Sequence, residues 1–219
     1  RREKRPLESE IQGSEGRRRL RRYPFCLEPS TVIRNGNVNT FSDDFRIRID
    51  RTLPPETNHL VFDKPDSLVV LQMPEQKKSL SIVVDVIPAA LPKSGIAAIS
   101  ARQGFSNMLG IDSDGHFIFT LWGADRKTMC VVKSCEKADV GRKYRLAGII
   151  DSGNNPEIIL LVDGREAGRA VLREEPYPYS RDLYIGAAAM DGRMAFRGTI
   201  KNFFLAYRAL SAEEIAQLK

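Results

Sequence analysis

From Phe45 to Tyr207 the chain alternates short apolar runs with clusters of Gly, Pro, Asn and Asp. The runs are Phe45–Ile49, His59–Asp63, Ser67–Met73, Leu80–Ile87, Ile96–Arg102, Met108–Ile111 and His116–Trp122. They continue as Met129–Lys133, Tyr144–Asp151, Ile158–Val162, Glu166–Leu172, Leu183–Ala187 and Ala195–Tyr207. Short runs with turn punctuation predict strands of a sandwich or barrel rather than βαβ units. In His116–Trp122, Phe117, Phe119 and Leu121 fall on one face and Ile118, Thr120 and Trp122 on the other. Both faces are mostly apolar, which places this strand inside a two-layer sandwich rather than at an edge. In Leu80–Ile87, Ile82, Val84 and Val86 oppose Ser81, Val83, Asp85 and Ile87.

Two stretches carry hairpin chemistry. Asp112-Ser113-Asp114-Gly115 and Asp163-Gly164 each separate apolar runs, and Asp-Gly supplies the positive φ that a tight turn needs. Helical signals wait until the end. Ser211 and Glu214 have capping-box spacing, and Leu210 and Ile215 are placed to staple the helix to what precedes it.

Composition changes this picture at one point. The chain has 219 residues and net charge +6, but residues 1–25 hold nine Lys or Arg against four Glu, a net +5. The folded remainder is therefore close to neutral, and residues 1–24 are expected to be a basic, disordered or extended arm. The arm, Arg1 to Arg22, suits an acidic partner or nucleic acid, a processing protease, or simply solvent. No signal-peptide pattern opens the sequence. The longest apolar stretch, Leu80–Leu91, is broken by Asp85 and Pro88, so no membrane-spanning helix is expected. Of three cysteines, Cys130 and Cys135 pair across a local turn with Cys26 left over, or they are free buried thiols; sequence leaves both open. With two histidines and no Cys/His cluster, structural zinc is not expected.

The ending Leu183, Ile185, Gly186 … Phe196, Gly198, Ile200 … Tyr207-Arg208-Ala209-Leu210-Ser211, Glu213-Glu214-Ile215 resembles the finish of laminin G-like domains of the concanavalin A-like superfamily. Internal pieces follow the same family in order: Leu80–Pro88, Leu109–Phe119, Gly141–Asp151 and Leu160–Gly164. The likeness spans roughly Phe41 to Lys219. One departure stands out, since Lys201 and Asn202 replace the family's usual acidic pair.

The resemblance implies an all-β, antiparallel two-sheet β-sandwich (jelly roll) over residues 25–219 with a short C-terminal helix. It implies a non-catalytic module recognising carbohydrate or protein ligands at an extracellular or cell-envelope surface. For a sugar, the residues on offer are Trp122, Arg102, Asn107, Tyr177 and Tyr179, although a tryptophan in such a strand is more often core than platform. For a family-type Ca²⁺, the carboxylates are Asp112, Asp114, Asp151 and Asp191, each also readable as a turn residue capping its own backbone. Two other classes stand beside this reading. One is an assembly protein docking its basic arm on an acidic partner or nucleic acid. The other is a glycan-active enzyme, which needs two carboxylates across a cleft. The E-x-D-x-x-E and E-x-D-x-E patterns of related hydrolases are absent, and the adjacent pairs Glu174-Glu175 and Glu213-Glu214 do not replace them.

Overall fold

The computed structural model describes residues 25–27, 44–49, 60–63, 68–72, 79–102, 106–176, 182–189 and 192–218. The strands are β1 (Phe25–Leu27), β2 (Asp44–Ile49), β3 (Leu60–Phe62), β4 (Val69–Gln72), β5 (Leu80–Pro88), β6 (Ile96–Arg102) and β7 (Asn107–Asp112). They continue with β8 (His116–Trp122), β9 (Met129–Lys137), β10 (Tyr144–Asp151), β11 (Glu157–Val162), β12 (Arg165–Val171), β13 (Asp182–Ile185) and β14 (Gly198–Ala206). Helix α1 (Ala212–Gln217) follows. Residues 1–24, read from sequence as an arm, lie outside the described residues.

The described strands form two antiparallel sheets, as the alternation predicts. One has eight strands, in the order β1-β2-β14-β5-β10-β11-β12, with β3 also paired to β14. The other has six, in the order β4-β13-β6-β7-β8-β9. Period-2 alternation sends Ile82, Val84 and Val86 of β5 and Phe117, Phe119 and Leu121 of β8 into one buried cluster between the sheets. The approach is close at Gly148 on β10. A Cβ there would sit 2.6 Å from ring carbons of Phe119, so only glycine fits.

The outer face of the eight-stranded sheet is covered as well. Val83, Ala147, Ile149, Leu161 and Phe204 pack with Leu210 and Ile215 in a second cluster, which seats α1 on the sheet. The capping box is present: Ser211 Oγ accepts from the Glu214 N–H at 3.2 Å, and Glu214 Oε2 accepts from the Ser211 N–H at 2.8 Å. Leu210 and Ile215 share that cluster, as the staple requires. On the same face Asp85 is fully buried and answered from three directions. Arg145 donates from Nε at 2.7 Å and from an NH2 group at 3.2 Å, Lys143 Nζ lies at 2.9 Å, and Asn202 Nδ2 donates at 2.9 Å. Arg145 also donates to the Leu218 carbonyl at 2.7 Å, tying the helix end to the sheet. Asn202, which stands in place of a family acid, is therefore a partner of Asp85; an acid there would set two carboxylates together.

Three details differ from the sequence reading. β1 was not anticipated. β14 begins at Gly198 rather than Ala195, because Ala195 makes only an isolated parallel bridge to Ala98. β9 runs to Lys137, so Cys130 and Cys135 share one strand instead of flanking a turn. Five residues of extended chain separate them by about 16 Å, beyond disulfide reach. Both are free, and Cys135 is exposed rather than buried. Both hairpin turns form as expected. Asp163 and Gly164 have φ of 49° and 78°, a primed turn, and Gly115 has φ of 90° with its N–H bonded to the Asp112 carbonyl.

Candidate functional site

In the six-stranded sheet, β6 ends at Arg102, β7 starts at Asn107, β8 ends at Trp122 and β9 starts at Met129. Antiparallel pairing brings all four to one end. The structure thus brings three of the sugar candidates, Arg102, Asn107 and Trp122, to one end but splits them between two faces. Asn107 pairs with Leu121, a core residue, and so points between the sheets. The register Ala101↔Met108 continues to set Arg102 across from Asn107 on that inner face. Both are 0% exposed. The Arg102 guanidinium donates to the Tyr207 hydroxyl at 3.4 Å, and its charge reaches Asp182. Burial holds that carboxyl above its ordinary value while Arg102 pulls it the other way. Tyr177, Tyr179 and Asp191 lie outside the described residues.

Trp122 is on the outer face. Its cross-strand partner is Met129, and Thr120 beside it faces Val131. Much of this outer face is closed: Ala98, Ala101 and Met108 pack with Ala188, and Ala98 donates to the Met194 carbonyl. Towards β9 the cover ends. Met129 is 47% exposed, Val131 is 44% exposed and Trp122 is half-buried. Sequence reasoning missed Met129 and Val131. The available signal was the alternation of β9, which puts both on the side of Trp122.

The β8–β9 loop borders this strip and is braced from within. Asp125 Oδ1 accepts from the Lys127 and Thr128 N–H groups at 2.9 and 2.8 Å, and Oδ2 accepts from the Thr128 hydroxyl at 2.7 Å. These bonds, led by the Thr128 N–H, hold the Asp125 carboxyl below the usual range. Gly123 bridges to Pro176, and Ala124 donates to the Glu175 carbonyl. The rim is fixed before any ligand arrives, which reduces the ordering cost of binding.

The three described carboxylates suggested for calcium do not form one group. Asp112 and Asp114 belong to the β7–β8 turn at one end of the sandwich, whereas Asp151 ends β10 at the other. Asp112 Oδ1 accepts from the Asp114 and His116 N–H groups, and its Oδ2 pairs with Lys133 Nζ at 2.7 Å. Burial raises the Asp112 pKa, but the Lys133 and backbone hydrogen bonds prevail and lower it. Asp151 Oδ1 caps the Gly153 N–H. Calcium asks for six to eight oxygens, and among the described residues no group of three or more His, Cys, Asp or Glu comes within metal-binding reach. The described residues therefore do not fit that ion. Of the paired glutamates, Glu174 and Glu175 are exposed beyond β12, and Glu214 is held by Ser211 and Arg208. No helix among the described residues is long and apolar enough to cross a membrane.

Comparison with known proteins places this geometry. A laminin G family model, of the concanavalin A-like lectin/glucanases superfamily, matches residues 67–216. No curated protein matches the sequence. Among solved structures, the IT-sialidase CBM40 of Ruminococcus gnavus bound to α2,3-sialyllactose is 16% identical with a TM-score of 0.54, over 65% of this chain and 83% of that one. The NanB sialidase of Streptococcus pneumoniae is 13% identical with a TM-score of 0.60, over 74% of this chain and 27% of that one. The botulinum neurotoxin type G receptor-binding domain is 13% identical with a TM-score of 0.53, over 71% of this chain and 40% of that one. At these identities the likeness is one of fold.

Proposed function

We propose a binding function for this chain, which belongs to the laminin G family of the concanavalin A-like lectin/glucanase superfamily. It is a non-catalytic module that takes carbohydrate on the Trp122 corner of its six-stranded sheet, at an extracellular or cell-envelope surface. One observation carries the reading: the exposed strip Met129–Val131 beside half-buried Trp122, bordered by the braced 123–128 loop. A sugar ring offers an apolar C–H face and a rim of hydroxyls. An indole with neighbouring aliphatic side chains suits the first, and a polar loop suits the second. The fold neighbour from Ruminococcus gnavus was solved with a sialylated trisaccharide, which supports carbohydrate as the ligand class. The Arg102 and Asn107 side chains, buried between the sheets, are not placed to touch such a ligand.

The test is a glycan array probed with the full chain and with Trp122→Ala, with thermal unfolding run alongside. Binding that disappears in the variant while its unfolding temperature holds supports the corner as the site. Binding that survives in Trp122→Ala places the ligand elsewhere. No glycan bound by the wild-type chain, with a protein ligand captured at the same corner, replaces carbohydrate by protein. Binding that vanishes only on removal of residues 1–24 favours the basic arm and its +5 charge, and should then weaken steeply with salt.

A further inference from the structure

Beneath the rim, the inner face of the six-stranded sheet holds polar groups that the proposed binding corner does not use. Ser100 pairs with Leu109, and Leu109 lies in the core cluster, so Ser100 also points between the sheets. Asn107 projects there two residues earlier on β7, and Ser106 precedes it; all three are 0% exposed. Within the protein, Asn107 Nδ2, Asn107 Oδ1, Ser100 Oγ, Ser106 Oγ and the Arg102 Nε atom have no hydrogen-bond partner. Native interiors leave very few side-chain polar atoms in that state. Five where β6 ends and β7 begins mark a site rather than scattered defects.

We propose that this end of the sandwich is a built internal hydration site, in which the Asn107 amide, the Ser100 hydroxyl and the Arg102 Nε–H hold ordered water. The chemistry of the lining selects the occupant. A metal ion would need several carboxylate, imidazole or thiolate ligands, and the lining offers an amide, a hydroxyl and the cation Arg102. An anion would find the Arg102 Nε–H but would leave the Asn107 carbonyl oxygen without a donor. An apolar occupant would answer none of these atoms. A neutral molecule that donates and accepts at once answers all of them, because the amide presents both donors and an acceptor, the hydroxyl is both and the Nε–H donates. Geometry agrees with water. Ser100 and Asn107 are diagonal neighbours across β6 and β7, about 7–8 Å apart. That gap is too wide for a direct bond between two short side chains, and one water within about 3 Å of each spans it. The inference is independent of the glycan reading, since these polar groups and the Trp122 strip lie on opposite faces of the sheet.

The test uses the full chain, isotope-labelled, and reads water contacts of the Asn107 side-chain amide protons by NMR exchange and Overhauser spectroscopy. The expected result is a cross-peak to water with the sign of a long-lived, bound molecule. Asn107→Leu, which removes the reporter amide itself, should leave the unfolding midpoint unchanged or raised, since an apolar side chain removes the need for water. Should Asn107→Leu fail to fold, Ser100→Ala removes a single hydroxyl and should weaken the same cross-peak in a folded protein. An Asn107 amide with no long-lived water, or one bonded to a protein group, overturns the proposal. So does a bound-water signal that Ser100→Ala leaves unaltered.

Discussion

The two ends of the sandwich are built from the same strands and treat their polar groups in opposite ways. At the end with the β7–β8 turn, each described group that folding takes from water meets an answer. Asp112 accepts two backbone N–H groups and pairs with Lys133. The Tyr144 hydroxyl accepts from the Asp139 N–H at 2.7 Å, its ring packs edge-on against Phe117, and the Arg142 guanidinium lies 4.6 Å over it. Arg142 also reaches Glu136 and Asp163. At the other end, Asn107 and Ser100 are buried without protein partners, and Met129 and Val131 remain in water. The first end closes the fold. The second leaves both kinds of contact open, and the proposed binding corner would use only the exposed apolar strip.

The comparison is tested hardest at Asp85, near the closed end. Asp85→Ala leaves Arg145 and Lys143 facing a buried gap and should cost about 3–5 kcal/mol in urea unfolding. Burial alone would raise the Asp85 pKa, but hydrogen bonds from Arg145, Lys143 and Asn202 prevail and lower it. A carboxyl lowered by folding adds stability above its unfolded pKa of about 4 and loses it as pH falls through the folded value. The wild-type urea midpoint should therefore fall below about pH 4, and Asp85→Asn should flatten that limb. An acid limb unchanged in Asp85→Asn would mean that the closed end is held by something other than this network.

At the open end the effect should move from stability to binding. Trp122→Ala should weaken the best glycan ligand about thirtyfold, near 2 kcal/mol, as loss of an aromatic anchor does. Its urea midpoint should shift far less than that of Asp85→Ala. Equal losses of binding and stability would erase the distinction between the ends.

What the sequence made legible follows the same division. Strand alternation, the Asp-Gly turns and the Ser211–Glu214 cap are local signals, and the structure carries them. Asp85 reads only as a polar position on the face of β5 opposite Ile82, Val84 and Val86. It is buried because Arg145 lies against it and holds the Leu218 carbonyl at the far end of the chain, a relation no window along β5 contains. Arg102, Asn107 and Trp122 were offered only as a set of sugar candidates, with no face assigned. Trp122 parts from Asn107 because the β7–β8 register sets Asn107 opposite Leu121. Arg102 turns inward because the irregularity in β6 between Ala98 and Ser100 resets its alternation against β7. Met129 and Val131 were missed because exposure depends on where the cover from Ala188 and Met194 stops.

A smaller effect is expected at Asp112. Asp112→Ala removes the acceptor for two backbone N–H groups and one Lys133 contact at a partly exposed turn. About 1–2 kcal/mol of stability should go, read by urea unfolding. Asp112→Asn, which keeps an acceptor oxygen, should recover part of it. No recovery would assign the loss to the Lys133 charge pair rather than to the turn.

The smallest effect is predicted where ion pairs are as dense as at Asp85 but lie in water. On β12, Arg169 donates to both Glu157 oxygens at 3.0 and 3.1 Å and is bonded to Glu166 through two of its nitrogens. These carboxylates, Glu166 foremost, raise the Arg169 pKa. On geometry alone the cluster rivals the one at Asp85. Yet the Arg169 side chain is 52% exposed, against 1% for Asp85, and an exposed pair exchanges good hydration for screened attraction. Arg169→Ala should leave the urea midpoint within experimental error at physiological salt, with any difference shrinking further at 1 M. A loss approaching that of Asp85→Ala would show that pairing stabilises this sandwich wherever it occurs. The contrast between its ends would then reflect where the ion pairs lie, not what the fold takes out of water.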